Sequence, residues 1–387
     1  MVEVLISGGG PAGAIAALSL ARRGVRVLVV DRATFPRDKL CGDTLNPGAL
    51  AELRAFGLDG DVERRSLPLR GMRVTGEGVD VTGEYPSGLT GRAIARRDLD
   101  HRLLEAAAKA GAQVRQGVRV RAPLLDETER TPTVRGGVLD VGGKTLRVPA
   151  SVTIAADGRR SALGFAIGLL HHPRSPRRWA IGSYFEGVAG LGPYGEMHIR
   201  RGHYVGIAPL PGGLANVCVV SPPDVRMRDP RAFLLDVLAR DASIADRFAR
   251  ARMAAPVSSL GPLAVDARAA GTAGLLLAGD AAGFVDPMTG DGLRLALRGG
   301  VLAADVAYDM LEHPHLRGHV RLAHLRAGEF ATKLRVNRVL RALVGSPVAT
   351  SVGAFGARLV PAVLRAVIGF SGDVAHARRE RRVGGVA

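Results

Sequence analysis

Three glycines near the N-terminus have the spacing of a loop that binds the phosphates of a dinucleotide. Gly8, Gly10 and Gly13 follow an apolar run, and Asp31 ends the next apolar run. Glycine permits a tight turn and a close approach of backbone to a pyrophosphate, and an aspartate in this place can accept hydrogen bonds from ribose hydroxyls. The alternative is a purely structural glycine turn. The predicted dinucleotide-binding residues are Gly8, Gly10, Pro11, Ala12, Gly13, Asp31 and Arg32.

The surrounding pattern predicts a strand, a helix and a second strand. Residues 2–6 and 25–30 are short apolar runs, as in parallel strands that are buried on both faces. The alanine-rich residues 11–23 between them predict a helix, because Pro11 is tolerated in a first turn and Gly24 ends the pattern. The phosphates would therefore meet a helix N-terminus, where free N–H groups favour anions.

A second polar motif follows a later apolar run. Residues 278–292 read Ala-Gly-Asp-Ala-Ala-Gly-Phe-Val-Asp-Pro-Met-Thr-Gly-Asp-Gly. The carboxylate of Asp280, at the end of a predicted strand, can bind a sugar-alcohol hydroxyl, and the helix predicted after it directs N–H groups towards the same region. An ordinary strand–loop–helix joint is the alternative. The predicted ligand-binding residues are Gly279, Asp280, Pro287, Gly290 and Gly292.

A third motif, Ala-Ala-Asp-Gly-Arg-Arg-Ser at residues 155–161, directly follows another apolar run. Together the three motifs resemble those of class A flavoprotein oxidoreductases, the superfamily of para-hydroxybenzoate hydroxylase. The resemblance implies that FAD is the cofactor and that Asp157 and Gly158 contribute to its site. Gly164 stands where this superfamily usually has an arginine, a departure that concerns the docking of a nicotinamide more than that of the flavin.

Residues 35–43, Phe-Pro-Arg-Asp-Lys-Leu-Cys-Gly-Asp, resemble the geranylgeranyl reductase-like branch of this superfamily, which includes menaquinone reductases. The resemblance implies that Arg37, Cys41 and Gly42 lie at the cofactor. It also implies a basic residue near the FAD phosphates, for which we rank Arg96 before Arg97.

The branch has a substrate-side pattern, Tyr-x-Trp-x-Phe-Pro, that is associated with prenyl-chain reduction. In the corresponding run of this chain, Tyr204 and Pro209 remain, but Gly206 and Ala208 replace the two aromatic residues. These four residues are the predicted substrate pocket. Because two large side chains are absent, we expect a more open cavity with room for a bulkier, ring-containing substrate.

No residue is assigned firmly to catalysis. The sequence shows no Ser–His–Asp arrangement, and the chemistry would be that of the cofactor. Cys41, Tyr204 and Asp291 are the candidates. An unreactive buried thiol is the alternative for Cys41, and capping of the following helix is the favoured role of Asp291. Cys218 is predicted to lie in the core, and no metal site is predicted.

The composition excludes several classes of protein. The chain has 53 Lys and Arg residues and 36 Asp and Glu residues, for a net charge of +17, but acidic residues are mixed among the basic ones and aromatics make up only 4%. We therefore expect no nucleic-acid binding. Two distant cysteines, the absence of a basic N-terminal leader and the absence of a continuous apolar span predict a cytoplasmic protein.

We expect an α/β (α+β) fold with a Rossmann-type FAD-binding domain, a mostly antiparallel β-sheet substrate domain and a C-terminal helical segment. The FAD-binding domain is predicted over residues 1–70, 91–170 and 264–320, the substrate domain over residues 71–90 and 171–263, and the helical segment over residues 321–387. Residues 335–370 are expected to pack over the substrate domain, and peripheral contact with a membrane surface is the alternative.

Three functions follow from these motifs. The favoured one is an FAD-dependent monooxygenase that hydroxylates or epoxidises a hydrophobic aromatic or polyketide-like small molecule after NAD(P)H has reduced the flavin. The second uses the same FAD site to saturate a carbon–carbon double bond, as geranylgeranyl and menaquinone reductases do. The third is a non-catalytic flavin-binding protein. Because the sequence shows no second dinucleotide motif, NAD(P)H would visit transiently or a separate electron donor would reduce the flavin.

Overall fold

The computed structural model describes residues 2–86, 88–126, 128, 132–175, 177–345 and 361–373. The helices are α1 (Pro11–Ala21), α2 (Pro47–Ala55), α3 (Asp59–Arg64), α4 (Arg96–Lys109), α5 (Ala162–Ala166), α6 (Pro230–Arg240), α7 (Ala245–Phe248), α8 (Gly292–Glu312), α9 (Gly318–Gly345) and α10 (Pro361–Ser371). The strands are β1 (Val4–Ser7), β2 (Val27–Asp31), β3 (Thr44–Leu45), β4 (Leu67–Leu69), β5 (Gly71–Gly76), β6 (Val79–Glu84), β7 (Gly91–Ala93), β8 (Gln113–Gln116), β9 (Val118–Asp126), β10 (Thr133–Val141), β11 (Lys144–Pro149), β12 (Val152–Ala155), β13 (Leu170–His171), β14 (Trp179–Glu186), β15 (Tyr194–Arg200), β16 (His203–Leu210), β17 (Leu214–Ser221), β18 (Arg252–Met253), β19 (Ser258–Leu260), β20 (Asp266–Ala267), β21 (Gly271–Thr272) and β22 (Leu275–Leu277).

Six strands form the sheet that begins at the N-terminus, in the order β21-β22-β12-β1-β2-β8. The pairs are parallel except for β21 with β22. In the centre, Val4 of β1 lies beside Val27 of β2 and Val152 of β12. Every side chain of β1, β12 and β22 is buried, because helices or a further sheet cover both faces. The predicted strand–helix–strand start is confirmed.

The second large sheet is mostly antiparallel, in the order β18-β14-β17-β16-β15-β5-β6, and β19 also pairs with β14. Its parallel pair is β15 with β5. Phe233 and Leu234 of α6 pack on one face against Ile181 and Val205. Together the two large sheets confirm the predicted fold class, whereas the division into domains stays a prediction.

Three smaller sheets occur in the described residues, and one of them is the two-stranded antiparallel pair β13-β20. The antiparallel sheet β11-β10-β9 packs against the parallel sheet, where Val120 and Leu139 share a core cluster with Leu5 and Leu28. In the short sheet β3-β7-β4, the central strand β7 directly precedes α4 in the chain. It holds the residues that follow Asp43 next to those that precede Arg96, through the pair Thr44 and Ala93.

The C-terminal part is helical in the ranges that the structure describes, as predicted. Ile368 of α10 packs against Gly83 of β6, and the N–H of Gly48 in α2 donates to the carbonyl of Gly372. Among the helices that the structure describes, none is long and apolar enough to cross a membrane.

Helices α1 and α8 approach each other closely at glycines. All residues of α1 are buried. A Cβ at Gly300 of α8 would overlap the carbonyl oxygen of Ala12, whereas a Cβ at the adjacent Gly299 would lie 3.3 Å from the tip of Arg326, a flexible side chain. The contact at Gly300 therefore sets the distance between α8 and the N-terminus of α1.

This packing predicts different effects of the same substitution at two neighbouring positions. Gly300→Ala should lower the free energy of unfolding by about 1–3 kcal/mol, because the backbones must separate to admit the methyl group. Gly299→Ala should leave it unchanged or raise it by up to about 1 kcal/mol, because alanine favours the helix. Denaturant unfolding measures both, and equal effects would contradict the proposed contact.

Candidate functional site

Four neighbouring strands of the first sheet end at the motifs found in the sequence. Gly8 follows β1, Asp31 ends β2, Asp157 follows β12, and Gly279 follows β22. Because these strands are parallel, their carboxyl ends lie along one edge of the sheet. The structure therefore brings together motifs that are far apart in the sequence, at the edge where open α/β sheets bind ligands.

The turn between β1 and α1 has the geometry of a phosphate-binding loop. Gly8 has φ +103°, and a Cβ at Gly13 would overlap the Gly8 carbonyl oxygen. Gly10 is the N-cap of α1, where no side chain makes a capping hydrogen bond and the first turn has no acidic residue. Pro11 and Ala12, the first residues of the helix, are buried. An uncapped helix N-terminus in this setting is suited to an anion such as pyrophosphate.

The Asp31 carboxylate is fixed beside this turn by backbone groups. Its Oδ2 accepts a hydrogen bond from the N–H of Gly9 at 2.8 Å, and its Oδ1 accepts one from the N–H of Ala33 at 2.8 Å. Both bonds leave lone pairs for ribose hydroxyls. Arg32, in contrast, is exposed.

The side chains of the third motif, residues 155–161, bond to the helix that follows it and to a distant loop. Burial raises the pKa of Asp157, whose Oδ2 accepts from the N–H of Ala162 at 3.1 Å. Gly158, with φ +80°, opens the turn that carries the next two arginines. Arg159 donates to the Pro262 carbonyl at 3.0 Å, and Arg160 donates to the Gly261 carbonyl at 2.9 Å. These arginines therefore join the motif to the segment before β20.

Asp280 is a half-buried carboxylate that accepts no hydrogen bond from the described residues. Gly279 before it has φ +59°, and a Cβ there would lie 2.9 Å from the Cβ of Ala12, so this loop packs directly on α1. Burial and then the charge of Arg96 lower the pKa of Lys39, while Asp280 raises it, so the ammonium group lies within electrostatic reach of Asp280. A carboxylate at this edge that accepts no hydrogen bond from the described residues can bind sugar-alcohol hydroxyls.

The two predicted phosphate-binding arginines converge on one buried carboxylate. Arg96 makes two hydrogen bonds of 2.7 Å to Asp100, and Arg37 Nη2 lies 3.0 Å from the same carboxylate. Burial lowers the pKa of Arg96, but Asp100 and Cys41 together raise it more, so the guanidinium stays charged. The Arg37 guanidinium also lies beside the phosphate-binding turn, since its Nη2 would be 3.6 Å from a Cβ at Gly10. Arg97 is exposed and lies 3.7 Å from Asp38.

The loop before α8 is tied to the antiparallel sheet through Asp286. The Tyr204 hydroxyl donates to Asp286 Oδ1 at 2.6 Å, and Arg178 donates to Oδ2 at 3.5 Å. Burial, followed by the charge of Asp286, raises the pKa of Tyr204 well above its usual value. The phenol therefore stays protonated, and its hydroxyl positions the loop.

Pro287, Gly290 and Gly292 form the turn that enters α8. Gly290 has φ +69°, and a Cβ at Gly290 would meet no atom within 4 Å. Asp291 occupies the N-cap position but makes no capping hydrogen bond, so the predicted capping role is wrong. Its Oδ1 accepts instead from Lys333 Nζ at 2.9 Å and from Asn46 Nδ2 at 3.2 Å. Burial raises the pKa of Asp291 to about 6, against the opposing effect of Lys333.

The predicted substrate residues lie along β16. Tyr204, Gly206 and Ala208 lie on one face, and Pro209 alternates to the other. Gly206 pairs with Cys218 of β17, which pairs with Gly182 of β14, so a row of small residues crosses three strands. The nearest atom to a Cβ at Gly206 would be the Cys218 carbonyl oxygen at 3.9 Å. A Cβ at Gly206 would therefore overlap none of its neighbours.

The two cysteines are unpaired and occupy different environments. Cys41 is half-buried, and its thiol interacts with the Arg96 guanidinium, while the following Gly42 is exposed. Cys218 is half-buried too, so the predicted core position is not met in full, although burial of its thiol raises the pKa to about 12. Among the described residues, no group of three or more metal-ligating side chains occurs.

Comparison with known proteins identifies the family. Residues 1–305 match the family model described as an FAD binding domain, and the chain belongs to this family. A menaquinone reductase of Mycolicibacterium smegmatis is 32% identical over 321 residues, which are 79% of this chain and 76% of that protein. A digeranylgeranylglycerophospholipid reductase of Methanosarcina acetivorans is 30% identical over 319 residues, which are 80% of this chain and 75% of that protein. The predicted membership of the class A flavoproteins is confirmed, and the protein is an FAD-dependent oxidoreductase.

Solved structures share the fold. A geranylgeranyl bacteriochlorophyll reductase-like protein from Thermoplasma acidophilum has a TM-score of 0.77 at 22% identity, over 89% of this chain and 87% of that one. A triple mutant of the flavin-dependent brominase Bmp2 has a TM-score of 0.82 at 19% identity, over 100% of both chains.

The residues at the sheet edge fit FAD. The uncapped N-terminus of α1 suits the pyrophosphate, Asp31 suits a ribose, and the carboxylate of Asp280, which accepts no hydrogen bond from the described residues, suits the ribityl chain. The open backbone at Gly290 leaves space for a flat ring beside the turn into α8. Sequence reasoning missed Asp100, although its spacing of four from Arg96 on a helix is a known pairing signal.

This geometry predicts that Asp280→Ala weakens FAD binding. Loss of a charged acceptor for a buried hydroxyl should cost about 10-fold or more in affinity. The matched control is Asp305→Ala, which removes an exposed carboxylate of α8 that pairs with Arg23. This variant should bind FAD as the wild type does. Reconstitution of the FAD-free protein, followed by flavin fluorescence, measures both affinities. Equal affinities for the two variants would remove Asp280 from the site.

Proposed function

We propose that the protein uses FAD to reduce a carbon–carbon double bond in a hydrophobic, polyprenyl-type molecule. The observation that carries the proposal is the position of residues 39–43, the segment that resembles the reductase branch. Leu40 packs over Gly182, and Asp43 bonds to Tyr184 and Asn216, so this segment faces the antiparallel sheet. The substrate would lie between this segment and the face of the sheet.

The chemistry of that face supports an apolar substrate. Its core cluster contains Ala180, Tyr204, Val220 and Leu263, packed with Leu40, Met197, Ile199, Cys218, Leu260, Phe284 and Met288. Each methylene group that leaves water for such surroundings contributes about 0.8 kcal/mol. The names of the two relatives, a menaquinone reductase and a digeranylgeranylglycerophospholipid reductase, favour reduction and a lipid substrate.

The reduction needs a hydride for one carbon and a proton for the other. FAD, held by the N-terminus of α1, Asp31 and Asp280, would supply the hydride, and its own reduction would require a reduced nicotinamide or a separate electron donor. The protein supplies an apolar cavity that excludes water. The groups near the substrate space that carry a transferable proton include the Tyr184 hydroxyl and the Cys41 thiol. The product differs from the substrate by two hydrogen atoms.

Oxygenation of an aromatic or polyketide-like molecule is the second candidate. The observation that favours it is the absence of a side chain at Gly206, where the pattern of the reductase branch has a large aromatic side chain. A ring-containing substrate could take the place of that side chain. The same FAD site serves both reactions, but oxygenation requires molecular oxygen and adds one oxygen atom to the product.

An anaerobic single-turnover experiment separates the two reactions. We expect the dithionite-reduced protein to convert menaquinone or a geranylgeranylated glycerophospholipid to a product heavier by two hydrogen atoms, while the flavin is reoxidised. Mass spectrometry follows the lipid and absorbance follows the flavin. The product is then exposed to air, because a quinone ring that was merely reduced returns to its original mass and a saturated chain does not.

A product that gains an oxygen atom, formed only in air, would favour the second candidate instead. Reoxidation of the flavin without any lasting change in the mass of either lipid would contradict double-bond reduction of these substrates.

A further inference from the structure

Asp43 lies where the reductase-like segment, helix α4 and the antiparallel sheet meet. It is fully buried and has φ +52°, in the left-handed region that favours glycine. Its Oδ2 accepts from Asn216 Nδ2 at 2.6 Å and from the Tyr184 hydroxyl at 2.8 Å. Its Oδ1 accepts from the N–H of Arg96 at 3.2 Å. All three bonds are made to a single carboxylate.

The partners of Asp43 on the sheet are themselves neighbours. Tyr184 of β14 pairs with Asn216 of β17, two residues along the strands from the pair Gly182 and Cys218 and on the same face. In the described part of the chain, the two bonds from these side chains to Asp43 are the side-chain hydrogen bonds that join residues 40–43 to this sheet. The way this segment packs on the row of small residues, where Leu40 covers Gly182, therefore depends on Asp43.

The third bond connects Asp43 to the FAD side of the molecule. Arg96 begins α4, and the N-cap residue Ala95 has no side chain that could cap the helix. Asp43 supplies that acceptor from a distant part of the chain, and its charge is favourable at a helix N-terminus. The guanidinium of Arg96 pairs with Asp100 and interacts with Cys41. One carboxylate thus orients the segment towards the sheet and towards Arg96.

We propose that Asp43 is a positioning residue that sets the distance between the Cys41 segment and the sheet, and thereby the position of an apolar substrate relative to the flavin. The part of the proposal that concerns an apolar substrate rests on the proposed function. The part that concerns the position of Cys41 does not. Asp43 acts through Tyr184, Asn216 and Arg96.

The geometry also implies a dependence on pH. Tyr184 from β14, Asn216 from β17 and Arg96 from α4 face the carboxylate, and the thiols of Cys41 and Cys218 lie near it. Burial raises the pKa of Asp43 to about 7, against the opposing effect of the bonds from Tyr184 and Asn216. The ionised form accepts all three bonds, and protonation turns one oxygen into a donor. Positioning should therefore improve as the pH rises through about 7.

An exchange of the two side chains tests the proposal in the FAD-bound protein. Asp43→Asn removes the charged acceptor, and Asn216→Asp places a second carboxylate beside the first. In the double variant D43N/N216D, the side chain at position 43 becomes the amide donor and the side chain at position 216 becomes the charged acceptor. The hydrogen bond between the two positions is thereby restored in the opposite direction. Tyr184→Phe removes a single bond and is the milder variant. Asp80→Asn, in an exposed pair with Arg73 on the same sheet, is the matched control.

The first measurement is the anaerobic rate, as a function of pH, at which the dithionite-reduced protein converts menaquinone to the product that stays heavier by two hydrogen atoms after exposure to air. We expect D43N to be about 10- to 100-fold slower, the loss typical of a displacement near 1 Å. It should also lack the rise near pH 7. Y184F should lose less, the double variant should recover most of the rate, and D80N should match the wild type.

The second measurement needs no substrate. Iodoacetamide should alkylate Cys41 several-fold faster in D43N than in the wild type, while Cys218, with its raised pKa, stays unmodified in both. Faster alkylation without any turnover of menaquinone in the wild type would support the positioning role and count against the proposed function. If D43N retains FAD and matches the wild type in rate, pH profile and Cys41 alkylation, the proposal is overturned.

Discussion

Two buried carboxylates, Asp43 and Asp286, dock the antiparallel sheet onto the edge where the three dinucleotide-binding motifs meet. A buried carboxylate is costly unless donors replace its water, and here Tyr184, Asn216 and Tyr204 of the sheet provide them. The docking of the sheet and the burial of the two charges therefore depend on each other. Between the two carboxylates the sheet presents small and apolar side chains, so the space left for a substrate has fixed walls.

The parts of the site that the sequence predicted are those that depend on local backbone geometry. Gly8 and Gly279 adopt positive φ angles, and Gly13 leaves no space for a side chain, so glycine is required at each position. Asp31 and Asp280 end or follow apolar strands whose parallel pairing places them on one edge. Short-range patterns of this kind identify the cofactor site because the chain folds there within a few residues.

The rest could not be predicted because it depends on contacts between distant residues. Asp291 stands at a helix N-cap and was expected to cap it, but Lys333 on α9 and Asn46 before α2 supply stronger donors. Tyr204 was a candidate for catalysis, and its hydroxyl instead bonds to Asp286. No local pattern marks these pairs, since each partner lies on another element of the fold.

The central claim is that the sheet edge and the face of β16 form a single site for the flavin and its substrate. A crystal structure of the protein with FAD and a polyprenyl lipid tests it most directly. The account predicts the pyrophosphate at the N-terminus of α1, the flavin ring beside Gly290, and the lipid chain over Gly206 and Cys218. A lipid bound on the opposite face of the sheet, or a flavin ring that does not reach the space between Asp43 and Asp286, would contradict the account.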